Sequence, residues 1–229
     1  MKIKNQVVKG NFITRLNRFE AMIDINGEAN LVHVPNTGRC RELLVEGAEV
    51  LLEKREGKKR KTAYELIMVY KGDRLVSIDS QLPNRLAEEA IRRNGINELR
   101  DYAYIKREMS YGDSRFDLYL EKEDEKAFVE VKGVTLEVEG IAKFPDAPTE
   151  RGTKHIYELI RAKQQGYRAC VLFVVQLDFA EYFTPNSVMD PKFAEALRNA
   201  KDAGVEILAY KCSVSEDEVY ICQAMEVKL

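Results

Sequence analysis

Tryptophan is absent from this chain of 229 residues, histidine occurs only twice, at positions 33 and 155, and cysteine four times. No two cysteines stand closer than ten residues, so the paired CxxC spacing of a structural zinc site is excluded. The same scatter gives no disulfide framework. Cys40, Cys170, Cys212 and Cys222 therefore read as free thiols, with Cys170 in the core and Cys212 and Cys222 placed to face each other across a hairpin. Long apolar runs are missing as well: the longest, Ala169 to Val175, has seven residues, whereas a membrane-spanning helix needs ~20. Met1 to Gln6 contains no apolar signal region, and the expectation is a cytoplasmic protein with no membrane partner. Charge of one sign is lacking too. The net of −2 does not by itself announce a nucleic-acid binder.

What is present is an ordinary globular composition, 45% apolar and 32% charged. The near-neutral total hides an asymmetry, +4 over residues 1 to 80 and −6 over the remainder. The first part favours phosphates and the second concentrates carboxylates. From Val7 to Ile78 six short β-type segments are punctuated by Gly10, Asn26-Gly27, Gly47, Gly57 and Gly72-Asp73, which predicts a small OB-like barrel over residues 1 to 80. After Asp79 the rhythm changes. Helices are expected over Asn84 to Asn94 with Asn84 as N-cap, over Thr149 to Gln165, and from Asp190-Pro191 to Gly204. Strands are expected at Tyr104 to Ser110, Arg115 to Glu121, Lys126 to Val134, Arg168 to Gln176, Val205 to Val214 and Val219 to Val227. The fold class is α/β (α+β), with a mixed sheet flanked by helices over residues 81 to 229.

The segment Arg115 to Lys132 reads as a β-hairpin. Period-2 alternation puts Phe116, Leu118 and Leu120 on one face, with Ala127, Val129 and Val131 opposite, and leaves Asp117, Tyr119, Phe128, Glu130 and Lys132 on the other. A four-residue loop, Lys122 to Glu125, sets Tyr119 opposite Phe128 and Asp117 opposite Glu130. Facing carboxylates ~5 Å apart at Cβ repel each other and ask for a cation. Oxygen-only ligands favour Mg²⁺ or Mn²⁺ over zinc. Lys132, from the same face, would stabilise charge on a phosphate, so Asp117, Glu130 and Lys132 are the candidate catalytic residues for metal-assisted phosphodiester hydrolysis. The plainer alternative is a solvated polar face with a Glu130–Lys132 salt bridge. If repulsion dominates, Glu130→Gln melts at or above the wild type when metal is absent.

Five segments in order carry a resemblance: Pro35 to Arg39, Tyr111 to Asp117, Phe128 to Leu136, Phe144 to His155 and Gly204 to Lys211. Together they resemble the sugar fermentation stimulation protein A (SfsA) family over essentially the whole chain. The resemblance implies an N-terminal OB-like domain and a C-terminal PD-(D/E)XK nuclease-like domain. In that pattern the acid falls on Asp117, the Glu-x-Lys on Glu130 and Lys132, and a further helical metal-binding acid on Glu89. Two functions follow as expectations: a metal-dependent nuclease acting on DNA or RNA, or a DNA-binding transcriptional regulator of sugar metabolism that does not cleave. A scaffold that binds only protein is the third class, separated from both by nucleic-acid affinity.

Candidate nucleic-acid contacts are Arg15, Arg18, Phe19, Arg39, Lys58 and Lys61 in the first part, with His33 and Tyr64 as further stacking faces, and Arg115, Arg151, Lys154 and His155 in the second. The last three open a helix, where the dipole favours anions. If the barrel supplies phosphate contacts, residues 1 to 80 bind nucleic acid with an affinity that falls as salt rises. Salt-independent binding in a titration, or none at low salt, moves the binding surface elsewhere.

Overall fold

Strands β1 (Val7–Arg15), β2 (Glu20–Ile25), β3 (Glu28–His33), β4 (Glu49–Lys54), β5 (Tyr64–Lys71) and β6 (Arg74–Ser77) occupy the six segments expected in the first part of the chain. In β2, alternation buries Ala21, Ile23 and Ile25 and leaves the intervening residues half-buried. Asn26 and Gly27, both at positive φ (55° and 87°), make the two-residue turn that brings Glu28 opposite Ile25. The strands run in the order β3-β2-β1-β4-β5-β6, and a parallel contact at His33↔Glu65 joins β3 to β5. That contact closes five strands into a barrel, so most backbone edges are paired. The computed structural model describes residues 1–36, 38–57, 60–112 and 114–229; Lys58, a candidate phosphate contact, lies outside them with Thr37, Lys59 and Asp113.

The second part starts with α1 (Leu82–Arg92). It begins two residues before the expected position, because Pro83 pre-sets the first turn; Gln81 is the N-cap and Asn84 lies inside the helix. A single 3₁₀ turn at Asn97–Leu99 leads into β7 (Tyr104–Tyr111), β8 (Ser114–Lys122) and β9 (Glu125–Val134). Then come β10 (Leu136–Val138), β11 (Ile141–Phe144), α2 (Glu150–Gln164), β12 (Arg168–Val175), β13 (Tyr182–Pro185), α3 (Pro191–Asp202), β14 (Glu206–Val214), β15 (Val219–Ala224) and β16 (Glu226–Val227). Thr149 caps α2 by accepting from Gly152 N at 3.1 Å. Asp190 caps α3 by accepting from Phe193 N at 3.0 Å, and its other oxygen takes Thr149 N at 2.8 Å, which ties the two helix starts together.

The main sheet has the order β15-β14-β12-β9-β8-β7, with β12 parallel to both neighbours. A strand covered on both faces needs apolar residues throughout, and Ala169 to Val175 are all buried. α2 and α3 share one apolar layer with the barrel interior, and α1 packs on the other face. A second sheet, β10-β11-β13-β16, was not expected from the sequence; its strands have two to four residues, too few for a period to show. Cys212 and Cys222 do not face each other: a register shift after Lys211 buries Cys212 and leaves Cys222 exposed, and all four thiols are free. Among the described residues no helix is long and apolar enough to cross a membrane.

The barrel does not stand apart from the rest. Ser77 N donates to Gln176 O at 3.0 Å, Ile3 N to Asp217 O at 2.7 Å, and Lys71 Nζ to Glu137 O at 2.7 Å. A fragment ending at residue 80 loses these partners, so the salt titration belongs to the full chain. Gly10 supplies a stability test, because a Cβ there would lie 2.6 Å from Ile23 Cγ2 and 2.7 Å from the Asp24 carbonyl oxygen. Gly10→Ala should cost about 1–3 kcal/mol as overpacking, seen as a lower denaturant midpoint with unchanged slope.

Candidate functional site

The β8–β9 ladder has the expected register, with Glu121↔Lys126, Tyr119↔Phe128 and Leu118↔Val129. The turn is shorter than four residues: Lys122 pairs with Glu125, and Glu123 takes φ 47°. Beyond Leu118 the ladder stops. On its other edge β8 pairs Leu118 with Arg107 and Phe116 with Met109, leaving Asp117 and Glu108, whose φ is 57°, out of the ladder between them. This break corrects the alternation read from sequence. Phe116 packs with Phe128 at 5.1 Å between rings, in the layer of Tyr119, while Leu118 and Leu120 face α1. Local ladder irregularities re-aim side chains, and the one re-aimed here is Asp117. Its Oδ2 accepts from Val131 N of β9 at 2.8 Å, and its Oδ1 from Asn84 Nδ2 of α1 at 2.7 Å.

Glu130 is 2% exposed. Its Oε1 accepts from Lys132 Nζ at 2.6 Å and from His155 Nδ1 at 2.5 Å, whereas its Oε2 is buried with no hydrogen-bond partner among the described residues. Arg151 Nε lies 3.5 Å from His155 Nε2, consistent with the neutral tautomer that carries its proton on Nδ1. The salt bridge of the plainer reading is thus real, but the face is not solvated. The two carboxylates are driven apart in acidity. Burial, then the charge of Glu130, raises the Asp117 carboxyl above its usual value. Burial also pushes Glu130 upward, but the His155 and Lys132 contacts outweigh it and hold Glu130 below the usual range.

The remaining candidates separate into those brought near this pair and those held elsewhere. Glu89 engages the N-terminal ammonium at 3.6 Å and Arg93 at 4.0 Å, and shares no partner with Asp117 or Glu130 among the described residues. His155 does not face solvent as a phosphate contact; it is buried against Glu130. Arg151 and Lys154 are exposed on the first turn of α2. Arg115 is exposed and pairs with Glu108 at 3.4 Å. Arg15 has all five N–H donors bound to carbonyl oxygens, those of Asn17, Arg18, Asn36, Gly38 and Arg39, so it builds the loop rather than offering itself to phosphate. Phe19 is 48% exposed with Arg18 over its ring at 5.8 Å, Lys61 is exposed beside it, and His33 pairs with Glu65. Arg18 and Arg39 border a cavity of about 400 Å³ with Arg41.

This chain matches the sugar fermentation stimulation protein RE domain over residues 81–218 and the SfsA N-terminal OB domain over residues 13–78. The sugar fermentation stimulation protein homolog of Caldanaerobacter subterraneus subsp. tengcongensis is 54% identical over 229 residues, covering 100% of both chains. That of Clostridium botulinum strain Loch Maree is 52% identical over 230 residues, again covering 100% of each. The chain belongs to the sugar fermentation stimulation protein family. Its barrel is the OB domain of that family, and its whole fold matches a solved structure of Pyrococcus furiosus SfsA in complex with Ca²⁺, with a TM-score of 0.90, 31% identity and 100% coverage of each chain.

Sequence reasoning missed Asn84 as the residue that holds Asp117, since it read the same asparagine as a helix cap. It also missed His155 as a partner of Glu130, because contacts between a strand and a distant helix leave no spacing signal. The structure reverses one expectation: the destabilising charge sits on Asp117, not on Glu130. With metal absent at neutral pH, Asp117→Asn should melt above the wild type by up to the equivalent of about 1 kcal/mol, roughly 2–4 °C in a chain of this size. Because the folded Asp117 carboxyl is raised, that gain should vanish as pH falls through its pKa and the wild type protonates. Glu130→Gln should instead melt lower, toward the small end of the ~3–5 kcal/mol for breaking a buried pair. Its deficit should be full at neutral pH and shrink as pH falls through the lowered Glu130 pKa. Calorimetry on both variants from pH 7 downward checks the opposite signs.

Proposed function

We propose that the chain is a nucleic-acid-binding protein whose Asp117, Glu130 and Lys132 form a divalent-metal-dependent site for phosphodiester hydrolysis, on a PD-(D/E)XK nuclease-like domain. The observation that carries this reading is Glu130 Oε2, a carboxylate oxygen buried with no donor among the described residues, beside a second carboxylate whose ionised form is disfavoured. Such an atom, in an oxygen-only pair, fits a hard cation. Among the described residues no group of three or more His, Cys, Asp or Glu side chains is arranged to hold a metal; Mg²⁺ and Mn²⁺ keep several waters and take one or two carboxylates plus substrate phosphate. The Ca²⁺ bound to Pyrococcus furiosus SfsA supports a divalent ion.

Asp117 and Glu130 would hold the ion, whose contribution is positive charge at the phosphate and a more acidic water. The protein groups do the rest. Asn84 and Val131 N fix the Asp117 carboxylate, and His155 fixes Glu130 through the oxygen that Lys132 shares. Lys132, 15% exposed at its side chain, is the cation that substrate can reach, and it would turn from Glu130 to neutralise charge on the transferring phosphate. Arg18, Arg39, Lys61, Arg115, Arg151 and Lys154 are the basic side chains that would meet the polynucleotide. A second reading, a DNA-binding regulator of sugar metabolism without cleavage, is favoured by the Lys132–Glu130 pair itself, which neutralises the site without metal.

The two separate on cleavage of labelled single- and double-stranded DNA and RNA with Mg²⁺, Mn²⁺ or EDTA. The hydrolase reading expects metal-dependent cutting, lost in Lys132→Ala by ~100-fold or more under single-turnover conditions while affinity survives. Cutting by Lys132→Ala at the wild-type rate removes Lys132 from the proposal, and tight binding with no cutting under any metal leaves the regulator.

A further inference from the structure

One residue beyond Lys132 the chain enters a cavity of about 300 Å³ between the barrel and the main sheet, a volume at the lower end for small-molecule sites. Asn36, Gly133, Thr135, Asp146, Thr149 and Gln176 line it among others. Two segments far apart in sequence meet here, since Arg39 N donates to Asp146 Oδ2 at 3.1 Å. The cavity thus opens at the C-terminal end of the strand that carries Glu130 and Lys132.

Gln176 gives the cavity its chemistry. It is 1% exposed, and its Nε2 donates to Ser77 O at 2.6 Å and to Asp79 O at 3.3 Å. Those bonds fix the amide, turning Oε1 toward Gly133, where no donor among the described residues reaches it; a Cβ at position 133 would lie 2.8 Å from that oxygen. Oε1 is therefore an acceptor left open to the cavity, ready to take an N–H or O–H from an occupant. Asp146, half-buried, receives Arg39 N on Oδ2 and leaves Oδ1 open to the same occupant. A carboxylate wall repels a phosphate and accepts from a neutral, donor-bearing group.

Gly38 lines this cavity and also the neighbouring one bordered by Arg18, Arg39 and Arg41. None of those three guanidinium groups forms an ion pair among the described residues. Like charges gathered without carboxylates favour phosphates, so the acceptor-lined cavity opens beside an arginine-lined one.

We infer that the Gln176–Asp146 cavity is a subsite for a nucleobase presenting adjacent N–H donors, guanine best, on the nucleotide beside the scissile phosphate, with the strand continuing to Arg18, Arg39 and Arg41. In a duplex that edge is already paired, so the substrate at the cleavage point is unpaired or flipped out. This rests on the hydrolase reading and adds the substrate class.

The test is fluorescence anisotropy on the full chain with oligothymidine carrying one central guanine, the same strand with hypoxanthine, which lacks the 2-amino group, and the guanine strand as a duplex. The wild type should bind the guanine strand about 5–10-fold tighter than the hypoxanthine strand and tighter than the duplex. Gln176→Leu and the milder Asp146→Asn, each checked for an intact melting transition, should lose that preference and keep oligothymidine binding. Arg41→Ala should weaken all single strands alike and reduce the salt slope by about one. Equal wild-type affinity for guanine and hypoxanthine, or for strand and duplex, overturns the subsite and leaves water as its occupant; this comparison decides even if Gln176→Leu does not fold. Base preference without cleavage sinks only the hydrolase reading, cleavage without base preference sinks only the subsite, and no binding sinks both.

Discussion

Glu130 is a carboxylate taken almost wholly out of water, with one oxygen bound by two nitrogens and the other by none among the described residues. Removing an ionised group from solvent is costly unless paired, and the surrounding architecture supplies the pairing. Lys132 comes from the same strand two residues on, and His155 from the buried side of α2. α2 is set on the sheet by its Thr149 cap, and that cap is joined to α3 through Asp190. Asp117 is then forced to share the site without equivalent compensation: it has an amide and a backbone N–H but no cation of its own. Two carboxylates in two environments thus have their acidities driven apart, Asp117 upward and Glu130 downward.

A second constraint joins the barrel to this centre. Arg15, at the end of β1, binds five carbonyl oxygens of the loops around it and fixes the course of the chain at Asn36, Gly38 and Arg39. Asn36 Nδ2 in turn donates to Ile78 O at 2.7 Å, just before α1, and α1 carries Asn84 to Asp117. The basic surface of the barrel and the carboxylates of the sheet are thus connected by a short run of hydrogen bonds rather than by a flexible linker. In such an arrangement a residue that looks like a phosphate contact by composition can be a structural tie, and Arg15 is one.

The sequence by itself determined the periodic elements and the composition of the site. All six strands of the first part, the three helices and the β8–β9 register were legible, because burial of one face writes a period of two or 3.6 into the residues. That register also singled out Asp117, Glu130 and Lys132 as a group, although the ladder ends at Leu118, one step short of the Asp117–Glu130 pair it predicts. The tertiary structure decided what no period records. It placed the short second sheet, whose strands are too brief to alternate, and it broke β8 at Asp117, sending Phe116 to the opposite face from the one its spacing implies. It gave Glu130 rather than Asp117 the cations, held Glu89 at the N-terminus, and left Gln176 Oε1 facing a cavity. Each of these outcomes depends on a contact between residues distant in sequence. Such a contact is set by the packing of whole elements and not by local preference.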